Sequence, residues 1–158
     1  MEEAQFLLMI QQHSGIIRKI LYLYADNPED QADLHQEILY QAWKSIDRFK
    51  GNSKFSTWLY RLSLNTVLTH KRKNSRLKKE PMNESHEQSV LYPEPSDKSD
   101  LLWNAIKKLG DIDKTLISLH LEDYSNDEIT EILGISKNHV AVKLHRIRQQ
   151  LEKQLSNV

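Results

Sequence analysis

The stretch SNDEITEILGISKNHVAVKLHRIRQQL, residues 125–151, decides how this chain is read. Ser125 with Glu128 three residues on makes a capping box, and Ile129, Ile132 and Leu133 give the short helix it opens an apolar side. Gly134 ends that helix and Ile135 follows as a buried turn residue. Ser136 then caps a long helix whose inward line is Val140, Leu144, Ile147 and Leu151. A capped short helix, a glycine turn and a capped long helix make a helix-turn-helix. At about 100° per residue, the apolar line leaves Asn138, His139, Val142, His145 and Arg146 on the outward side, with Lys137, Lys143 and Arg148 flanking them. Asparagine can pair with adenine, valine can meet a thymine methyl, and long cationic side chains reach phosphates, so this face is a candidate DNA surface. The competing reading is an amphipathic helix with a solvated basic side. The capped helix before it favours DNA, as does the change in net charge from −4 over residues 101–135 to +4 over residues 136–158.

Working back from this motif, Ile112, Leu116, Ile117 and Leu121 form one helical stripe, and Leu101, Leu102, Ala105, Ile106 and Leu109 form another, stopped by Gly110 as a C-terminal cap. Residues 77–98 lose periodicity and gather Pro81, Pro93 and Pro95 among Asn, Glu, Ser and Asp, the composition of a flexible acidic linker. Before it, apolar residues again recur at three and four. Phe6, Leu7, Met9 and Ile10 belong to one helix. Ile16, Ile17, Ile20, Leu21 and Tyr24 belong to a second, after a break at Ser14-Gly15. Asn27 caps a third that starts at Pro28, carries Glu29 and Asp30 in its first turn, and runs to about Asp47 with an inner stripe of Leu34, Ile38, Leu39, Ala42, Trp43 and Ile46. Phe49 to Ser53 reads as a tight loop. Ser53 or Ser56 can cap the fourth helix, which bears Phe55, Trp58, Leu59 and Leu62 and continues into basic sequence. The expectation is an all-α chain of two small helical domains, residues 1–76 and 99–158, joined by the linker 77–98.

Charge is parcelled along this frame. The total is zero over 22 basic and 22 acidic side chains, yet residues 1–43 carry −5, residues 44–79 carry +10 and residues 80–100 carry −5. Alternating blocks suit a protein that meets DNA at two places and a basic protein surface elsewhere. On the third helix Asp33 and Glu37 lie four apart on the outward side with Gln36 beside them, a like-charge spacing that a basic partner relieves; a solvated acidic face is the plainer alternative. Trp43, Phe49, Phe55 and Trp58 have rings that can stack on bases, but their helical spacing points first to packing.

At these residues the sequence resembles a known family. Asp33-Leu34-His35-Gln36-Glu37, Ala42-Trp43, Phe49, Gly51 and Phe55-Ser56-Thr57-Trp58-Leu59-Tyr60-Arg61-Leu62 with Asn65 look like region 2 of extracytoplasmic-function (ECF) sigma factors. Tyr124-Ser125, Glu128-Ile129, Ile132 to Ser136, Val140, Arg146 and Arg148 resemble region 4 of the same family. His35, Ser63 and Lys137-Asn138-His139 depart from its usual pattern. The resemblance implies a sigma factor that recruits RNA polymerase core, recognises and melts the minus ten element through region 2, and binds the minus thirty-five element through region 4. It implies that Asp33, Gln36 and Glu37 dock on the β′ clamp helices, that the β flap is a further contact on core, and that an anti-sigma factor regulates the chain. Opening a duplex requires a pocket for an unstacked base and cations for the displaced strand. Lys50, Asn52, Ser53 and Lys54 in the loop, and Arg61, Asn65, His70, Lys71, Arg72 and Lys73 on or after the next helix, supply such groups.

Other classes fit less well. There is no cysteine, and the seven histidines fall in no ligand spacing, so no metal or other cofactor is expected. No glycine-rich phosphate loop or nucleophile constellation points to an enzyme. The start Met1-Glu2-Glu3 lacks a signal peptide's positive charge, and no apolar run approaches the roughly 20 residues of a bilayer span, so a cytoplasmic chain without membrane insertion is expected. An ordinary helix-turn-helix repressor or activator and a helical protein-binding adaptor remain as rivals.

Overall fold

A computed structural model describes residues 1–77 and 98–156, and every element in them is helical. The chain folds as two compact units, Met1–Val90 and Leu91–Val158. Residues 78–97, the body of the expected linker, lie outside the described residues; Leu77 closes one helix and Lys98 opens another.

The first unit holds α1 (Glu3–Gln12), α2 (Ser14–Tyr24), α3 (Pro28–Ser45), a 3₁₀ turn (Ile46–Arg48) and α4 (Phe55–Leu77). Asn27 caps α3, its side-chain oxygen accepting the Asp30 N–H at 2.8 Å. Pro28 follows where its missing N–H costs no hydrogen bond. α4 packs on α2 and α3. Ile17, Ile20, Leu21 and Leu23 meet Leu34, Ile38 and Ala42 and Leu59, Tyr60, Leu64 and Val67 in one buried core, to which α1 adds Phe6 and Ile10. Each large apolar side chain in such a core contributes about 1.5–3 kcal/mol relative to exposure.

The second unit holds α5 (Lys98–Lys107), α6 (Asp111–Leu121), α7 (Asn126–Leu133) and α8 (Lys137–Ser156). α6 lies at its centre, touching α5, α7 and α8. That position buries every residue from Lys114 to Leu119. The expected single stripe on α6 is therefore corrected: Leu116 and Ile117 are buried, Ile112 only partly, and Leu121 is exposed at the helix end.

Four further boundaries and faces differ from expectation. The α1–α2 break falls at His13, whose φ of −113° and ψ of 19° leave helical geometry, so Ser14 and Gly15 lie inside α2. α4 begins at Phe55, and Lys54 precedes it with its carbonyl accepting the Trp58 N–H, so neither Ser53 nor Ser56 holds the cap position. Gly110 is the N-cap of α6, with φ −60° and ψ 162°, and not a left-handed C-cap of α5. Trp43 is 44% exposed and lies beside the core, its ring meeting the edge of Phe6 at 5.1 Å.

Candidate nucleic-acid interface

In the second unit the turn is built as the sequence requires. Ser125 Oγ accepts the Glu128 N–H at 3.1 Å and donates to the Glu128 carboxylate at 3.2 Å, closing the start of α7. Gly134 ends α7 at φ 69°, ψ 28°, a left-handed geometry that costs glycine nothing and other L-residues dearly. Ile135 is half-buried in the turn. Ser136 Oγ accepts the His139 N–H and its carbonyl accepts the Val140 N–H, so α8 leaves the turn with two of its first donors satisfied.

Val140, Leu144, Ile147 and Leu151 are all buried, and Asn138, His139, Val142, His145 and Arg146 are all exposed. The flanking cations are held by the rest of the unit. Lys137 Nζ lies 2.6 Å from Asp127 of α7, Lys143 Nζ donates to Asp113 of α6 at 3.0 Å, and Arg148 Nη2 lies 2.7 Å from His120 Nε2 of α6. The acceptors Asp113, Asp127 and His120 had no role in the sequence reading, because nothing in chain order pairs them with α8. Just ahead of α7, burial pushes the Tyr124 phenol above its usual pKa of 10.0, and the carboxylates of Glu122 and Glu128 push it further, so it stays neutral.

In the first unit Asp33, Gln36 and Glu37 are exposed on α3, where Glu37 accepts from Gln41 at 2.9 Å. The same side continues to Tyr40, 58% exposed, and Trp43, spaced from Gln36 by four and seven residues. Sequence reasoning missed both as surface groups, although that spacing was there to be seen. The loop before α4 turns at Gly51, φ 77°, and leaves Lys50, Asn52 and Lys54 exposed and Ser53 partly so. Phe49, Phe55 and Trp58 pack on one another with ring centres 5.5–5.8 Å apart, and His13 meets Phe55 at 4.8 Å. These rings brace the loop against α4.

Arg61, Asn65 and Arg72 are exposed along α4. A groove of about 890 Å³ runs between α3 and α4, lined by Glu37, Gln41, Ser45 and Arg48 on one side and by Trp58, Arg61, Asn65, Thr69, His70 and Lys73 among others on the other. Glu37 and Arg61, which the resemblance divides between protein and DNA, share this groove. Asp33 and Gln36 do not line it, and Arg72 does not either.

Residues 9–77 match the family described as Sigma-70 region 2, and residues 99–151 match Sigma-70, region 4. The ECF RNA polymerase sigma factor SigW of Bacillus subtilis is 30% identical over 99% of this chain and 92% of its own length. The chain belongs to the ECF group of the sigma-70 family. The ECF RNA polymerase sigma-E factor of Haemophilus influenzae is a further relative, 27% identical over 98% of this chain and 89% of its own. Among solved structures, the sigma factor RpoE of Bartonella quintana, in complex with the anti-sigma factor NepR, shares the fold at a TM-score of 0.76 and 20% identity, over 97% of this chain and 96% of that one. CnrH in complex with the cytosolic domain of CnrY does so at 0.70 and 19%, over 99% and 90%.

As a sigma factor the chain directs promoter-specific transcription initiation through regions 2 and 4, and sigma factors are non-catalytic subunits of RNA polymerase. No helix among the described residues is long and apolar enough to cross a membrane.

Proposed function

We propose that this sigma factor divides its work among three surfaces, with residues 1–76 and 99–158 as its domains and 77–98 as the tether. The exposed side of α3, Asp33, Gln36 and Glu37, docks on the β′ clamp helices of core polymerase. The loop residues Lys50, Asn52, Ser53 and Lys54, with Arg61, Asn65 and Arg72 of α4, bind and open the minus ten element. Asn138, His139, Val142, His145 and Arg146 of α8, flanked by Lys137 and Arg148, meet the minus thirty-five element; Lys143, expected beside them, is paired with Asp113 instead.

The observation that carries this reading is the contrast between the exposed sides of α3 and α4 on the first unit, which meet at the groove that Glu37 and Arg61 share. Along α3, Asp33, Gln36, Tyr40 and Trp43 follow one another at helical spacing on an exposed side, and two large exposed aromatic rings beside carboxylates suit a protein partner with basic residues. The exposed side of α4 is cationic and polar instead, which suits a phosphate backbone.

For the β flap, the surface on the second unit is a groove of about 600 Å³ whose floor of Leu102, Ile117, Leu121, Leu151 and Leu155 fits protein better than DNA, with His120, Arg148, Glu152 and Ser156 completing its lining. An anti-sigma factor covering these faces in the cytoplasm is the regulator we propose; the solved complexes of RpoE with NepR and of CnrH with CnrY support that assignment by analogy.

The test is run-off transcription with the full chain and core enzyme. The double reversal Asp33→Lys/Glu37→Lys should abolish association with core and the transcripts, while the thermal unfolding of the chain is retained. Undiminished association would reject the α3 assignment.

A further inference from the structure

We propose that Asp113 is a positioning residue for promoter binding: it holds Lys143 against α6, keeping that lysine off the phosphates and fixing the face that α8 presents. The inference rests on the reading of α8 as the recognition helix.

Two of the cations that flank the recognition face, Lys137 and Lys143, are held in different ways. The Lys137 and Asp127 side chains are 68% and 73% exposed, so their ion pair competes with water and salt and exchanges readily for a phosphate. Lys143 and Asp113 are only 27% and 30% exposed, and Lys143 Nζ donates to Asp113 Oδ1 at 3.0 Å between two helices 30 residues apart in the chain. Helix position alone does not make this difference: Lys143 stands about 70° from the centre of the line formed by Val140, Leu144, Ile147 and Leu151, and Lys137 about 50°, so what separates the two pairs is the burial of Lys143 and its Asp113 partner.

Asp113 is well placed to keep its grip. It lies in the first turn of α6, where the helix dipole favours the charged carboxylate. Drawing Lys143 out to a phosphate would leave that carboxylate half-buried without its cation. Arg146, exposed on the outward side, reaches a phosphate without breaking any such contact. The number of phosphates that α8 neutralises is therefore smaller by one than its cations suggest, and the Lys143–Asp113 strut sets the pose of the helix on α6.

The experiment measures promoter binding by the full chain assembled with core polymerase over a series of salt concentrations. Each phosphate contact contributes about 0.9 to the slope of log affinity against log salt. Arg146→Ala should shallow the slope by about 0.9, Lys143→Met should leave it at the wild-type value, and Asp113→Asn, which frees Lys143, should steepen it by about 0.9. The exchanged pair Asp113→Lys/Lys143→Asp should keep both the slope and the start site, since the strut is rebuilt with its ends reversed.

Thermal unfolding is followed in parallel, and Asp113→Asn, which alters one charge, carries the test if Lys143→Met does not fold. A Lys143→Met slope as shallow as that of Arg146→Ala would overturn the assignment. So would an Asp113→Asn slope equal to wild type, or loss of promoter binding by a folded exchanged pair. If Arg146→Ala has the wild-type slope, the recognition-face reading itself fails and takes the assignment with it.

Discussion

Gly134 is the residue on which the geometry of the second unit turns, and its replacement by alanine gives a loss that can be worked out in advance. At φ 69° the backbone is left-handed, and a methyl group built there meets nothing within 4 Å. The cost is thus backbone strain alone. Left-handed geometry costs an L-residue about 1–2 kcal/mol, and the stiffer unfolded chain of alanine returns roughly 0.4–1 kcal/mol. A net destabilisation of about 1 kcal/mol follows, which for a unit of this size lowers its melting temperature by roughly 4–8 °C.

The second unit contains Trp103, and with Trp43 and Trp58 replaced by phenylalanine its fluorescence reports the melting of that unit in the full chain. Gly134→Asn should lose less, because asparagine tolerates the left-handed region. Gly110→Ala is the control: its φ of −60° is open to any residue, the added methyl again meets nothing, and the stiffer unfolded chain offsets the poorer N-cap that alanine gives α6, so its loss should be near zero. If Gly134→Ala melts with wild type, or no later than Gly110→Ala, the turn does not depend on the left-handed residue and the account of the motif is wrong.

Two further outcomes are expected. Ser63 is fully buried on α4 and its hydroxyl has no hydrogen-bond partner, so Ser63→Ala should stabilise the first unit by about 1 kcal/mol in denaturant unfolding; a loss of stability would show that the hydroxyl is satisfied. The Tyr124 pKa is raised in the folded chain, so its contribution to stability is fully present below pH 10, the unfolded value, and is lost as the pH climbs from there through the folded value. Tyr124→Phe should flatten that alkaline limb, and an identical pH profile for the variant would refute the assignment.

Much of the fold was legible because local rules and tertiary structure agree. Asn27-Pro28, Ser125 with Glu128, Gly134 and Ser136 each bound a helix where their chemistry says they should. The line Val140, Leu144, Ile147, Leu151 is buried throughout, and the five residues read as outward are exposed. The misses share a cause, which is that the packing of one helix on another is invisible in a single period. α6 is buried all round from Lys114 to Leu119, so its polar residues Lys114, Thr115 and Ser118 lie inside with the apolar ones. Trp43 follows the apolar period of α3 yet lies at the margin, 44% exposed, with its ring against Phe6 of the short α1. Gly110 reads as a stop signal in sequence, and the same residue serves equally well to start the next helix.

The same blindness affects charge. Residues 136–158 sum to +4 in sequence, which reads as a strong phosphate-binding footprint. In the fold, Asp127 and Asp113 stand against Lys137 and Lys143, two of the five cations in that segment, so the field facing DNA is weaker than the segment sum. Sequence-independent affinity comes almost wholly from such cations. A recognition helix whose cations are offset in this way gains less from DNA alone than its +4 suggests, so other contacts help bring it to its site. On the proposed reading those contacts come from the first unit, where exposed carboxylates and aromatic rings on α3 suit a protein partner and exposed cations on α4 suit nucleic acid. Weak separate grips that act together are governed by effective concentration, so on the proposed reading the chain between the two units bears on promoter affinity as well as the residues that touch DNA.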